Sequence, residues 1–210
     1  MPEKTPSAQC PAQVHALIVI DVQNDFCPGG ALAVPRGDEV VAPINEMMDD
    51  FDLVVLTQDW HPADHQSFAD AHDGAAPYDV IQMEYGPQVL WPRHCVQAST
   101  GAALHPELRT DRAQLILRKG FRRSIDSYSA FFENDQITPT GLHGYLTERG
   151  VTSITLAGLA HDFCVAYSAV DAARLGYDTR IVEHACRAID VNNSLAEARD
   201  RMWQAGVALL

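Results

Sequence analysis

A thiol can attack a carbonyl carbon only if one group takes its proton and another steadies the charge that results. Cys164 is the cysteine best set for that work. It follows the apolar run at residues 153–158 and a short turn, and it falls in the first turn of an expected helix. Unpaired amides and the positive dipole end of a helix favour a thiolate and lower the thiol pKa. Position alone fits a buried small hydrophobe equally well. Two residues elsewhere tilt that balance. Asp21 ends the apolar run Ile18-Val19-Ile20-Asp21, where an acid is costly unless it is paired or has a task; alone, it would read as a turn residue. Lys119 ends the run Leu115-Ile116-Leu117-Arg118-Lys119, and alone it would read as a solvated loop lysine. If all three stand at one sheet edge, acid, cation and thiol meet, and the lysine favours both the carboxylate and the thiolate. Cys27 and Cys95 sit beside interesting residues and are candidates for a pocket wall; Cys10 and Cys186 lack comparable support.

A second constellation is Asp59-Trp60-His61 with His94 in Trp91-Pro92-Arg93-His94. Imidazole and carboxylate together suit a divalent transition metal such as zinc, iron or manganese. Asp64, His65 and His72 compete as ligands, and spacing does not choose among them. A third set is aromatic. Phe26, Trp60, Trp91 and Tyr128 fall near the same expected edge, where they can stack on a flat ring or simply pack the core.

The elements that must bring these residues together alternate between strand and helix. Apolar runs at residues 14–21, 53–57, 114–118, 153–158 and 179–182 read as strands, with a last one at 207–210. The first lacks alternation, which suits a strand covered on both faces. Helical patterns cover residues 38–50, 141–149, 162–175 and 193–205, the last two ending at Gly176 and Gly206. The expectation is an α/β fold: a doubly wound, mostly parallel sheet of about six strands with helices on both faces. In such sheets ligands bind beyond the carboxyl ends of the strands, where Asp21, Asp59, Lys119 and Cys164 all lie. The stretch 62–110 is long for a connection in one domain and is expected to hold small elements or functional loops.

The chain has 210 residues, 47% hydrophobic and 20% charged, which suits a single folded domain over residues 14–210. Residues 1–13 read as a flexible leader. A net charge of −13 without a basic run argues against nucleic acid or an anionic membrane as partner. No apolar run is long enough to span a bilayer, and no secretory h-region precedes the domain. The scattered, odd set of five cysteines suits a reducing cytoplasm better than a disulfide framework. The oligomeric state stays open, a homo-oligomer included.

Taken in order, four segments resemble the nicotinamidase/pyrazinamidase family of isochorismatase-like hydrolases. They are Asp21-Val22-Gln23-Asn24-Asp25-Phe26-Cys27-Pro28-Gly29-Gly30; the pair Gln58-Asp59-Trp60-His61-Pro62 and Trp91-Pro92-Arg93-His94-Cys95-Val96; Lys119-Gly120 with Asp126-Ser127-Tyr128-Ser129-Ala130-Phe131; and Gly158-Leu159-Ala160-His161-Asp162-Phe163-Cys164-Val165. The resemblance implies a catalytic triad of Asp21, Lys119 and Cys164. It implies one divalent metal ion on Asp59, His61 and His94, and a ring pocket of Phe26, Trp91 and Tyr128. It implies a cis peptide before Ala160 and an oxyanion hole from the backbone N–H groups of Ala160 and Cys164. The implied reaction is hydrolysis of nicotinamide to nicotinate and ammonia through a cysteine thioester, in NAD salvage, with pyrazinamide as a second substrate. Two departures stand out. His161 occupies a position where relatives commonly have Thr, and no fourth protein ligand to the metal is evident near Asp64-His65-Gln66-Ser67. A related hydrolase with another small amide or an isochorismate-type substrate is the alternative, and an inert binding protein on the same fold is a third reading.

Overall fold

The computed structural model describes residues 13–210, so nearly all of the expected leader lies outside the described residues. Six strands form one sheet in the order β5-β2-β1-β6-β7-β8: β1 (Val14–Ile20), β2 (Leu53–Asp59), β5 (Leu115–Lys119), β6 (Val151–Leu159), β7 (Asp178–Arg187) and β8 (Ala208–Leu209). Every pairing in it is parallel, so the sheet is wholly rather than mostly parallel. Each residue of β2 is buried, as are the last five of β1. Since side chains alternate between faces, both faces of these strands are covered. Gly158 permits the close approach of the two central strands: its φ is +124°, and a Cβ there would lie 2.2 Å from the Ile20 carbonyl oxygen.

Of the expected strands, β2, β6 and β7 lengthen, β5 shifts by one residue, and β1 and β8 are shorter than expected. The helices are shorter than their sequence patterns. Residues 37–50 split into a 3-10 turn (Gly37–Val40), helix α1 (Val41–Met47) and a second 3-10 turn (Met48–Asp50). Helix α2 covers Leu142–Glu148, α3 Ala166–Arg174 and α4 Ser194–Gln204. Gly176 and Gly206 end α3 and α4 with positive φ, as expected. The long stretch between β2 and β5 does hold an element of its own, an antiparallel hairpin of β3 (Val80–Met83) and β4 (Gly86–Val89). No helix among the described residues is long and apolar enough to cross a membrane.

The chain runs outward from β1 through β2 to β5, then returns to β6 and runs outward the other way. The strand order therefore reverses between β1 and β6. A crevice opens at such a reversal, beyond the carboxyl ends of the strands.

Candidate active site

Four strand ends deliver four polar side chains to that crevice. Asp21 directly follows β1, Asp59 ends β2, Lys119 ends β5, and Cys164 lies five residues past β6. All four are buried. Lys119 Nζ is the hub. It lies 2.8 Å from Asp21 Oδ2, 2.5 Å from Asp59 Oδ1, 2.8 Å from the Ser127 carbonyl oxygen and 3.5 Å from Cys164 Sγ. The structure thus brings together the expected acid, cation and thiol.

Asp21 is held from the neighbouring strand. Thr57 Oγ1 donates to Asp21 Oδ1 at 2.6 Å and accepts the Asp21 backbone N–H at 3.0 Å. Oδ2 pairs with the Lys119 ammonium at 2.8 Å and has no other polar partner among the described residues. One Asp21 carboxylate oxygen also comes within 4.8 Å of Cys164 Sγ. The Asp21 carboxylate thus stands beside both the ammonium and the thiol.

Asp59 faces two ways. While Oδ1 holds Lys119, Oδ2 lies 3.5 Å from His61 Nε2 and 3.8 Å from His94 Nε2. His61 Nδ1 is 2.8 Å from the Gly120 carbonyl oxygen, and His94 Nδ1 is 2.7 Å from that of Pro92. A carbonyl only accepts, so each Nδ1 carries a proton, and in the neutral ring each Nε2 presents a lone pair. Ligands on one tetrahedral zinc stand roughly 3.4 Å apart, close to the observed spacings. Two oriented imidazoles and a carboxylate therefore fit a divalent metal, and the carbonyls behind them serve as the orienting partners such sites use. Gly120 is needed here: its φ is +66°, and a Cβ would lie 2.5 Å from the His61 ring.

The three other candidate ligands are engaged elsewhere. Asp64 is exposed and pairs with Arg123 at 2.6 Å. His72 Nε2 donates to the Gln66 carbonyl oxygen at 2.8 Å. His65 is buried next to His61, with ring centroids 4.4 Å apart. Its Nδ1 meets Ser67 Oγ at 2.7 Å and its Nε2 donates to the Ile125 carbonyl oxygen at 3.3 Å.

A narrow cleft opens over Cys164 and Asp59. Phe26, Trp91 and Tyr128 line it as expected, with Ala160 beside the thiol. Trp60 does not reach it; its ring lies under the Arg118 guanidinium, 3.7 Å from Cζ to centroid. Phe163 takes the place foreseen for a further aromatic, edge-on to Trp91 at 4.8 Å. Cys27 and Cys95 are buried but do not line the cleft. Leu32, Asp126 and Ile189 complete the wall without having been foreseen.

Two clamps also escaped sequence reasoning. Gln23 donates to the Asp59 carbonyl oxygen and accepts the Asp59 N–H, at 2.9 and 2.8 Å, fixing the end of β2. Asp25 Oδ2 accepts the Cys95 N–H at 2.7 Å, which ties the first segment to the one carrying His94. Their only sequence signal is a polar residue two and four places after Asp21.

The family model described as the isochorismatase domain matches residues 15–210. This chain belongs to the isochorismatase family. Within that family it is 55% identical to a nicotinamidase of Acinetobacter baylyi over 91% of this chain and 90% of the relative. It superposes on the solved nicotinamidase–pyrazinamidase of Acinetobacter baumanii with a TM-score of 0.93, at 51% identity, covering 96% and 97% of the two chains. A pyrazinamidase of Pyrococcus horikoshii, solved in complex with zinc, aligns with a TM-score of 0.75 at 32% identity, covering 93% of this chain and 98% of that one.

The electrostatics of this isochorismatase-family site correct one expectation. Burial pushes the Cys164 thiol well above the ordinary cysteine value and outweighs the lowering by Lys119. The expected lowering of the thiol pKa is thus reversed, because desolvation of the sulfur works against the pull of one cation. Burial also raises Asp21 above the ordinary aspartate value, against the pull of Lys119. For Lys119 burial works the other way, but the Asp21 and Asp59 carboxylates prevail and hold it charged. Burial would raise Asp59 too, yet Lys119 and His61 bring it well below the usual range.

The turn that carries the thiol departs from an ordinary helix start. His161–Val165 form one π-helical turn ahead of α3, following a cis Leu159–Ala160 peptide bond. Phe163 and Val165 N–H both donate to the Ala160 carbonyl oxygen at 3.1 Å. His161 neither faces solvent nor lines the cleft. It is buried on the side of Glu183, 4.0 Å away, and burial lowers its pKa.

Proposed function

We propose that this chain hydrolyses nicotinamide to nicotinate and ammonia through a thioester on Cys164, with pyrazinamide as a second substrate. The observation that carries the reading is Lys119 Nζ standing between Asp21, Asp59 and Cys164. It joins a nucleophile–base pair to a metal-ligand set beneath one aromatic-walled cleft. The 55% identity to a nicotinamidase supports the substrate. NAD salvage is the role that such a reaction serves.

Phe26, Trp91 and Tyr128 bind the pyridine ring and hold the carboxamide over the thiol, which makes the attack effectively unimolecular. Asp21 Oδ2 takes the thiol proton as sulfur bonds to the amide carbon. Its raised pKa suits that task, since a base works best when its pKa approaches the operating pH. The backbone N–H groups of Ala160 and Cys164 receive the oxyanion, a contribution of about 3–4 kcal/mol per donor in comparable sites. Asp21 then passes its proton to the amide nitrogen, the C–N bond breaks and ammonia leaves. Asp21 next takes a proton from water, whose oxygen attacks the thioester carbon. The C–S bond breaks, the thiol regains a proton and nicotinate departs. Lys119 stays charged throughout and steadies whichever neighbour is negative.

Asp59, His61 and His94 would hold one divalent ion, for which zinc, iron and manganese suit the donors. The zinc in the Pyrococcus horikoshii relative supports zinc here. When bound, the ion offers a Lewis-acidic position that can orient a ring nitrogen or a water.

The test is ammonia release from nicotinamide against a panel of small amides, with metal analysis of the same sample. Nicotinamide is expected to be among the best substrates, with about one metal ion per chain. Preference for an amide lacking a ring nitrogen, or full activity without metal, would overturn the reading. His94→Ala is expected to lose the metal and raise KM.

A further inference from the structure

The hairpin β3–β4 stands outside the main sheet, and its strands bury a single side chain, Gln88. A buried amide must satisfy two N–H donors and a carbonyl. Gln88 does so behind the wall of the cleft. Its Nε2 reaches the Tyr128 hydroxyl oxygen at 2.9 Å, Asp126 Oδ2 at 3.0 Å and the Val89 carbonyl oxygen at 2.7 Å. Its Oε1 accepts from the Tyr85 hydroxyl at 3.0 Å and from Asn134 Nδ2 at 3.1 Å.

Two of these contacts bear on Tyr128, one directly and one through Asn134. The Tyr128 hydroxyl oxygen also accepts Trp91 Nε1–H at 3.0 Å. The Tyr128 backbone N–H donates to Asn134 Oδ1 at 3.0 Å, and Asn134 is itself held by Gln88. Tyr128 is thus fixed at its hydroxyl and at its backbone through the same amide, and through that hydroxyl it is locked to Trp91. These two rings meet edge to face, with centroids 6.1 Å apart, and together form one wall of the cleft.

We infer that Gln88 is the positioning residue of the ring pocket: it locks Tyr128 against Trp91 and so sets where an aromatic substrate lies relative to Cys164. The residue touches neither the thiol nor the metal-ligand set. Its influence falls on binding the ring and not on bond-making. The inference rests on the proposed nicotinamide reaction and deepens it by naming what holds the ring subsite in shape.

The experiment is a double-mutant cycle between Gln88→Met and Tyr128→Phe in the metal-loaded protein. Methionine matches the length of glutamine and removes every polar contact, while phenylalanine removes the hydroxyl through which Gln88 acts. With nicotinamide, Gln88→Met is expected to raise KM about tenfold while kcat stays within about threefold of the parent. In the Tyr128→Phe background the same substitution is expected to change KM by less than about twofold. Calorimetric titration with nicotinate should show the same non-additive pattern without turnover. Additive effects, a KM for Gln88→Met within about twofold of the parent, or a loss confined to kcat would each overturn the inference. Gln88→Glu keeps the shape and loses the amide donors; it takes the place of Gln88→Met in the cycle if that variant does not fold, under the same criteria. Failure of the unsubstituted protein to hydrolyse nicotinamide would count against the proposed reaction, and nicotinate affinities would still decide the role of Gln88.

Discussion

Lys119 is fully enclosed, with two carboxylates, a carbonyl and a thiol around one nitrogen. Removing its charge leaves Asp21 and Asp59 facing each other without a cation. Lys119→Met is therefore expected to lower stability by about 3–5 kcal/mol, the usual cost of stranding a buried charge, and to abolish turnover. Denaturant unfolding measures the first and ammonia release the second; an unchanged midpoint would contradict this account of the pair. The same cluster fixes the pH dependence. Asp21 must be ionised to accept the thiol proton, and its pKa is raised. Activity is thus lost as pH falls through a value above the ordinary aspartate range. Cys164 and Lys119 are both pushed above their usual values, so neither imposes an alkaline limb below the ordinary thiol range. A kcat/KM profile with its acid limb at or below about pH 4 would refute the base role of Asp21.

At the scale of elements, neighbouring strand ends decide what can meet. Pairing of β2 with β5 sets Asp59 directly beside Lys119, and this joins two constellations that the sequence presents as separate. Gly120, just past β5, then lets the His61 ring lie against the backbone. Gly120→Ala is expected to displace that ring, cut bound metal to below half and cost about 1–3 kcal/mol from the positive φ; elemental analysis and thermal unfolding check both. The apolar runs before Asp21 and Asp59 make β1 and β2 legible, because buried parallel strands carry unbroken hydrophobicity, while the run before Lys119 marks an edge strand that is only half covered. The hairpin was not legible: β3 alternates exposed and half-buried residues over four positions, too short a pattern to register. Trp60 was placed with the pocket aromatics because adjacency in sequence hides which face a side chain takes. Phe163 lies in the π turn and meets Trp91 edge-on, a contact between distant segments that spacing alone does not show. The direction of the Cys164 shift was hidden for a related reason, since burial is a tertiary property that motif spacing does not reveal.

At the scale of the whole molecule, the reversal of strand order between β1 and β6 is what makes one site from distant segments. Asp21 and Cys164 sit on either side of that reversal, and β2 and β5 extend the same edge to supply Asp59 and Lys119. The rest of the chain serves this edge: Gln23 and Asp25 tie its loops together, and the hairpin buttresses the ring wall. The account as a whole stands on Cys164 as the atom that takes the acyl group. Its most direct test is ammonia release from nicotinamide by Cys164→Ala, measured beside nicotinate binding by the same protein. The account predicts that turnover falls by about a thousandfold or more while nicotinate still binds; turnover within about tenfold of the parent would contradict it.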